Sequence, residues 1–534
     1  MRLILAAGAL IVATASLVAR AETPAASDSG SGMTPALRGS LTLSLADAIA
    51  MGLENNLDIE VERHAPLIAE EDYQISWGAY DPILGGEAGF ARDQPVTANP
   101  LFATSGTNER ADGSAGLSGM VPILGATYAI DFLGDRSDSL IFIQPFSPQY
   151  TSDLSFSGSL PLLRGLVWNQ AWTGIRTSDA LRDEVLENFR ANVMNAVLEI
   201  ETRYWELVAS REQLGVAHKS LETANALLDQ VETQYEVGVV SRVEVVEAEA
   251  GVADRDFRLI VAKNLYRTAQ DDLIDVVLGS HFTAASTLEF DPTEAPESYT
   301  IYQVDVPQAV EIAFRQRPEL SAARDAVERR EIELRFRRNE RLPQLDLRGR
   351  YGVEGLAGRN GTDFQTREPI PEAAAGSNFN NAPRSFFTSN DGSAWDVRAV
   401  LSVPIGNIAG RHGVSKAQLE LHRSETLVKR LRQQIILQVR KSARDLLSGV
   451  EGVEAAERRR LAAAEQLRAE RVRLEHGEST PFDVLQRESD LVDAESQKIG
   501  ALRTYRLAEA ELLRAQGTSL QARNVVFEEV APLR

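Results

Sequence analysis

The segment "QYEVGVVSRVEVVEAE", residues 234–249, returns in altered form as "RLEHGESTPFDVLQRE", residues 473–488. One fixed offset aligns the two without gaps. It lays Gly238 on Gly477, Ser241 on Thr480, Glu244 on Asp483, Val245 on Val484 and Glu249 on Glu488. The same offset carries Tyr266 onto Tyr505, Ala269 onto Ala508 and Leu273 onto Leu512. A repeat with so long a period is half of a chain, not a solenoid unit, so the fold must be built from two similar halves.

Each half holds one very long helical pattern. In residues 178–238, Val193, Ile200, Leu207, Leu214, Leu221, Leu228 and Tyr235 recur every seven positions. A column of smaller residues, Ser210, Ala217, Ala224 and Val231, runs beside them. Large beside small at period 3.5 is a coiled-coil seam between closely approaching helices. The offset gives Val439, Leu446, Val453, Arg460, Leu467 and Leu474 in the second half, with Arg460 interrupting the column. Shorter helical segments are predicted over 45–77 and 242–278, then over 306–341 and 481–515. A helix of ~60–65 residues spans about 90–100 Å, and two short ones end to end span about the same. Each short pair is therefore expected to lie along one long helix.

Between the short and long helices the period drops to two. "LSFSGSL" sets Leu154, Phe156 and Leu160 against Ser155, Ser157 and Ser159. "LDLRGRY" sets Leu345, Leu347 and Tyr351 against Asp346, Arg348 and Arg350, and "WDVRAVLSV" sets Trp395, Val397 and Leu401 against Asp396, Arg398 and Ser402. Strands with one apolar and one strongly polar face suit a membrane barrel wet on the inside. "LGGEAGFA" and the hairpin-like "SAGLSGMVPILGATYAIDF" also alternate, giving up to four strand candidates in the first half and two in the second. Long polar loops, 92–113 and 354–394, join them. Trp77, Tyr80, Trp168 and Trp172 flank the strand blocks, where an interfacial aromatic belt would sit. The helix openings "LADAIAMGLENNLDI" and "VPQAVEIAFRQRPEL" pair at a different offset, so the halves differ in length mainly in strands and loops.

The chain opens on Arg2, an apolar run and the small-x-small site Ala19-Arg20-Ala21, which predicts a signal peptide over residues 1–21. The longest uncharged stretch beyond it is broken by glycines and Pro122, so insertion in a bilayer would require a closed β-barrel. There is no cysteine, hence neither disulfide nor lipidated N-terminal cysteine. A net charge of −21 argues against nucleic acid as a partner. The six histidines, His64, His218, His281, His412, His422 and His476, have no metal-ligand spacing, and no nucleophile elbow or phosphate loop is present. No cofactor is expected and catalysis is not.

With its duplicated G-x-x-[S/T]-x-x-[D/E]-V-[V/L] turn and its "LADAIAMGLENN" opening, the chain resembles the TolC-like outer-membrane efflux proteins. The resemblance implies a mixed fold, coiled-coil α plus membrane β-barrel. Two structural repeats per chain would form part of a trimeric α-helical barrel continuous with an outer-membrane β-barrel. The repeats would occupy residues 22–279 and 305–517, with a linker at 280–304 and a C-terminal tail at 518–534. The family's barrel has twelve strands per trimer; four candidates in the first half mean that some lie outside the wall or that the barrel is larger.

The resemblance further implies an exit duct in the outer membrane, with a long periplasmic extension that meets a periplasmic adaptor and an inner-membrane pump of RND or ABC type. Drug efflux and one-step protein secretion are both open to such a duct, and a periplasmic coiled-coil scaffold without a channel is the rival reading. The contact tip would comprise Gly238, Val239, Val240, Ser241, Gly477, Glu478, Ser479 and Thr480. The family's constricting acidic ring maps its first carboxylate to Asp483 and its second to Gln486, so only part of it is kept. Asp483 has a second reading, as a carboxylate favoured at the positive end of a helix dipole. Leu474 and Ser479 stand where the family's closing latch has a tyrosine and an arginine. Val239 and Val240, apolar at an exposed turn, point to a contact surface.

Overall fold

The computed structural model describes residues 38–93, 108–138, 146, 148–283, 287–295, 304–358, 368, 378–388 and 392–525. The expected signal peptide, the last nine residues of the expected tail and most of the two long polar loops lie outside these residues.

Strand β1 (Arg38–Leu43) leads into helices α1 (Leu45–Asn55) and α2 (Leu57–Trp77). Four strands follow, β2 (Ile83–Asp93), β3 (Asn108–Met120), β4 (Thr127–Asp138) and β5 (Gln149–Pro161). Then come the long helix α3 (Gln170–Glu236), α4 (Arg242–Leu278) and strand β6 (Thr287–Pro292). The second half has α5 (Val306–Gln316), α6 (Pro318–Glu340), β7 (Gln344–Gly358), α7 (Asn381–Thr388) and β8 (Ser393–Ser402). It closes with the long helix α8 (Ile408–Glu475), α9 (Pro481–Gln516) and the short α10 (Ser519–Ala522).

The long helices have 67 and 68 residues, about 100 Å each. Helix α3 has α2 along one end and α4 along the other, and α8 is flanked in the same way by α5 and α6 and by α9. That is the expected stacking. Equivalent residues of the repeats fill equivalent core positions: Leu207, Ala269 and Leu273 in one cluster, Leu446, Ala508 and Leu512 in another.

Three local features differ from the sequence reading. Helix α3 starts at Gln170, not 178, because the Asn169 side chain accepts the Trp172 N–H at 2.8 Å and caps it. The short helical stretches expected over 45–77 and 306–341 are each broken once. Asn56 ends α1 and its Oδ1 accepts the amides of Asp58 and Ile59 to start α2, while Pro318 opens α6 at its first turn. The heptad column also leaves the seam toward the turn. Val193, Ile200 and Leu207 are buried, Leu214 and Leu221 are half-buried, and Tyr235 is exposed. Burial passes instead to Ala224, Leu227 and Val231. A straight helix drifts ~20° per heptad from a 3.5-residue repeat, so a column kept over five heptads rotates out of contact.

Strands β1 and β6 pair in parallel from Arg38↔Thr287 to Leu43↔Pro292, tying the start of the first repeat to the segment between repeats. The buried Gln270 side chain satisfies the edge of β6, donating to the Phe290 carbonyl at 2.7 Å and accepting its N–H at 2.9 Å.

The remaining strands form one antiparallel sheet in the order β2-β3-β4-β5-β7-β8. All four first-half candidates lie in it. The β2–β3 ladder runs unbroken from Ile83↔Ser118 to Asp93↔Asn108, and β5 joins the halves by pairing with β7.

Candidate functional site: a two-faced sheet and a doubled turn

Because register partners share a face, the ladders sort every strand residue. One face collects Leu84 and Phe90 of β2, Leu117 of β3, and Tyr128, Ile130 and Phe132 of β4. It continues through Leu154, Phe156 and Leu160 of β5, Leu347, Tyr351 and Val353 of β7, and Trp395, Val397 and Leu401 of β8. Phe90, Trp395 and Leu401 stand more than 60% exposed. The apolar face ends away from the helices at the ion pairs Arg92–Glu109 (3.8 Å) and Arg136–Asp138 (3.3 Å). At the helix end lies an aromatic cluster, Trp77 against Tyr80 (6.2 Å) and against Trp172 (6.4 Å). Trp168 is apart from it, under the Arg335 guanidinium at 5.9 Å.

The opposite face is mainly polar, with Ile83, Leu133, Leu356 and Val400 among its larger apolar members. Ser155, Ser157 and Ser159 line up across β5, with Arg348 and Arg350 of β7 and Asp396 and Arg398 of β8 alongside. Its charges pair locally: Arg398 with Asp396 at 2.8 Å, Arg110 with Asp135 at 2.6 Å, Arg350 with Asp153 at 3.6 Å. A sheet apolar on one face and mainly polar on the other has the two surfaces that a wall between hydrocarbon and water requires. No described helix is long and apolar enough to cross a membrane.

At the other end of the long helices, the doubled turn is built twice by the same bonds. Gly238 N–H donates to the Tyr235 carbonyl and Val239 N–H to that of Gln234, at 2.9 and 2.8 Å. Gly477 and Glu478 repeat this onto Leu474 and Arg473, at 3.0 and 2.9 Å. Both glycines have positive φ, 80° and 74°, which this helix-ending motif requires. The next helix then starts on a capping box. The Asp483 carboxylate accepts from Thr480 N–H (3.2 Å) and Thr480 Oγ1 (2.7 Å), while Thr480 Oγ1 accepts the Asp483 N–H at 3.2 Å. In the first turn the Glu244 carboxylate accepts from Ser241 N–H. The Thr480 bonds hold the Asp483 carboxyl below its ordinary pKa, so it is ionised, and it is fully exposed. Ser479 donates to Glu470 at 2.6 Å.

The sequence reading set Val239 and Val240 together as exposed; the structure separates them. Val239 is 72% exposed, whereas Val240 packs half-buried against a cluster of Leu227, Val231, Val245, Leu467, Val484 and Leu485. Leu474 joins the same cluster. Three residues not picked out from the sequence complete the exposed apolar surface: Val237, Val243 and Phe482. Phe482 falls on Val243 under the repeat offset, a signal available in the sequence. Among the described residues, no three His, Cys, Asp or Glu side chains are placed to hold a metal ion.

A family profile described as outer membrane efflux protein matches residues 144–277 and 309–518, more than half of the chain. No curated protein sequence matches significantly. Among solved structures, the Campylobacter jejuni CmeC outer membrane channel superposes with a TM-score of 0.60 at 14% identity, over 89% of this chain and 86% of that one. The outer membrane protein VceC of Vibrio cholerae gives 0.61 at 14% identity, over 89% and 96%. The open state of the Neisseria gonorrhoeae MtrE outer membrane channel gives 0.60 at 15% identity, over 89% of each. The match in both halves, with the two-repeat helical architecture shared by these channels, places the chain in the outer membrane efflux protein family.

Proposed function

We propose that the chain is the exit duct of a tripartite export system. Three copies close their sheets into one shared barrel in the outer membrane, and their helices form a tunnel through the periplasm. The doubled turns at the inner tip dock on a periplasmic adaptor that couples the duct to an inner-membrane pump of RND or ABC type. The observation that carries this reading is the division of the sheet into an apolar and a charged face at the end of helices about 100 Å long. Along β5 the span from Leu160 back to Tyr150 is roughly 34 Å of strand. Tilted by the ~40° usual in such walls, it rises about 25 Å, the height of a lipid-facing band.

The polar face then lines the outlet, and nothing in the assembly asks for catalysis: the protein is a conduit. Asp483 supports two roles at once, since a carboxylate held ionised by its capping box also presents a fixed negative charge at the tip. A periplasmic scaffold without a channel would have no use for a lipid-facing sheet. Outer-membrane fractionation with heat-modifiable gel migration tests the reading: a folded barrel migrates differently before and after boiling. Recovery in the soluble periplasmic fraction, with identical migration, would refute it. Loss of export of a fluorescent pump substrate on deletion, restored by the intact chain, tests the duct itself.

A further inference from the structure

We infer that the barrel seam is formed by β2 of one protomer against β8 of the next, so that the trimer closes eighteen strands rather than twelve. The inference rests on the trimeric duct proposed above and adds which edges meet and how wide the outlet is.

Four observations carry it. The β2–β3 hairpin is not an appendage, because β3 pairs with β4 through the full register from Glu109↔Asp138 to Met120↔Thr127. The two sheet edges are β2 and β8, and both are exposed along nearly their whole length. An apolar face bordered by such edges cannot sit in hydrocarbon, since each unpaired backbone group there has no water to bond. Finally, the edges match. β2 runs away from the helices and β8 runs back toward them, so β8 of one copy meets β2 of its neighbour antiparallel, continuing the up-and-down order. The apolar side chains of both, Phe90 and Leu84 on β2, Trp395 and Val397 on β8, lie on the same face of the sheet, so the lipid surface continues across the seam. A second copy of this chain is the partner that supplies polarity, face and closure together.

Barrel diameter grows about linearly with strand number, so eighteen strands give an outlet about 1.5-fold as wide as twelve.

Absence of native cysteine makes the seam directly testable. Within one chain β2 and β8 stand five strand spacings apart, about 24 Å, and β4 and β8 three, about 14 Å. Both exceed the ~4.4–6.8 Å Cα separation a disulfide needs. Only neighbouring protomers can therefore cross-link. Polar-face pairs combining Gly85→Cys or Gly89→Cys with Asp396→Cys or Arg398→Cys, extended along the strands to cover the registers, are expected to give a covalent ladder ending at the trimer. Pairs combining Ala129→Cys or Asp131→Cys of β4 with the same β8 positions are expected to give none.

A β4–β8 cross-link would overturn the inference, because it leaves β2 and β3 outside a twelve-strand wall. So would a trimeric particle with no β2–β8 cross-link in any register. A monomer by detergent-corrected light scattering would instead remove the trimeric duct itself, and the seam with it.

Discussion

The Arg255 guanidinium on α4 donates to the main-chain carbonyl of Leu485 on α9, 3.2 Å away, and so bonds the first repeat to the second close to the tip. Both residues are buried. Glu488, one turn along α9, is also buried, and burial pushes its carboxyl up while Arg255 pulls it down. The helices come close here because Gly251 faces Leu485, where an added Cβ would stand 3.1 Å from Leu485 Cδ1.

Arg255→Met removes the larger of the two cationic influences on buried Glu488, leaving Arg471. The carboxyl's folded pKa then lies still further above its unfolded value, so the native state is penalised increasingly as pH rises through that folded pKa. Thermal unfolding of the purified protein should show a deficit against wild type that is larger at pH 8 than at pH 5. A deficit independent of pH would mean that Arg255 acts by packing alone.

The acidic patch between α3 and α6 makes a second pH prediction. Asp325 is pushed up to about 6, by burial first and then by Asp183, Glu187, Glu328 and Glu184. Its folded pKa exceeds its unfolded one, so this group's relative stabilisation of the native state is present in acid and lost as pH rises through about 6. Asp325→Asn should therefore raise the melting temperature at pH 8 and leave it unchanged at pH 4. Equal gains at both values would exclude titration as the cause.

Much of this was legible in the sequence because periodicity and burial coincide. Leu154, Phe156 and Leu160 alternate with serines, and the ladders place them on opposite faces as the pattern requires. The boundaries of α4 were legible because Ser241 and Gly279 punctuate both ends. Other features were hidden for physical reasons. Strands β1 and β6 are six residues each and pair across nearly the whole first repeat, so no local pattern announces them. Val239 and Val240 look alike in sequence, yet after the left-handed glycine one stands outward and the other packs on the apolar cluster that includes Val231 and Val245. Glu488 could have been noticed, as a charge four positions after buried Val484 on the same helical face.

Face assignment on the sheet is tested by charge. Phe156→Arg places a cation on the apolar face, where mid-bilayer cost is about 2–4 kcal/mol. Ser157→Arg on the opposite face faces water, near Arg350. The first should impair assembly and export, the second should assemble normally. Cysteines at the same positions give the matching readout: a membrane-impermeant thiol reagent should label position 157 and spare 156. Equal labelling would mean that the register, or the barrel, is wrong.

The tip separates three residues by role. Val239 is outside the apolar cluster and available to a partner, so Val239→Asp should leave folding intact and abolish capture of the cognate adaptor, because docking would bury an unpaired charge. Val240→Asp should behave differently: it drives a carboxylate into the cluster formed by Leu227, Val231 and Leu485, so the tip should loosen and become protease-sensitive before any partner is added. Asp483 needs a substitution that divides its two roles. Asp483→Asn keeps a side-chain oxygen able to accept from the Thr480 amide but removes the charge, whereas Asp483→Ala removes both. If the carboxylate constricts the tunnel electrostatically, both variants should change single-channel conductance and cation selectivity in planar bilayers. If it serves only the helix start, Asp483→Asn should conduct like wild type, and Asp483→Ala should differ only in faster amide exchange across the first turn of α9.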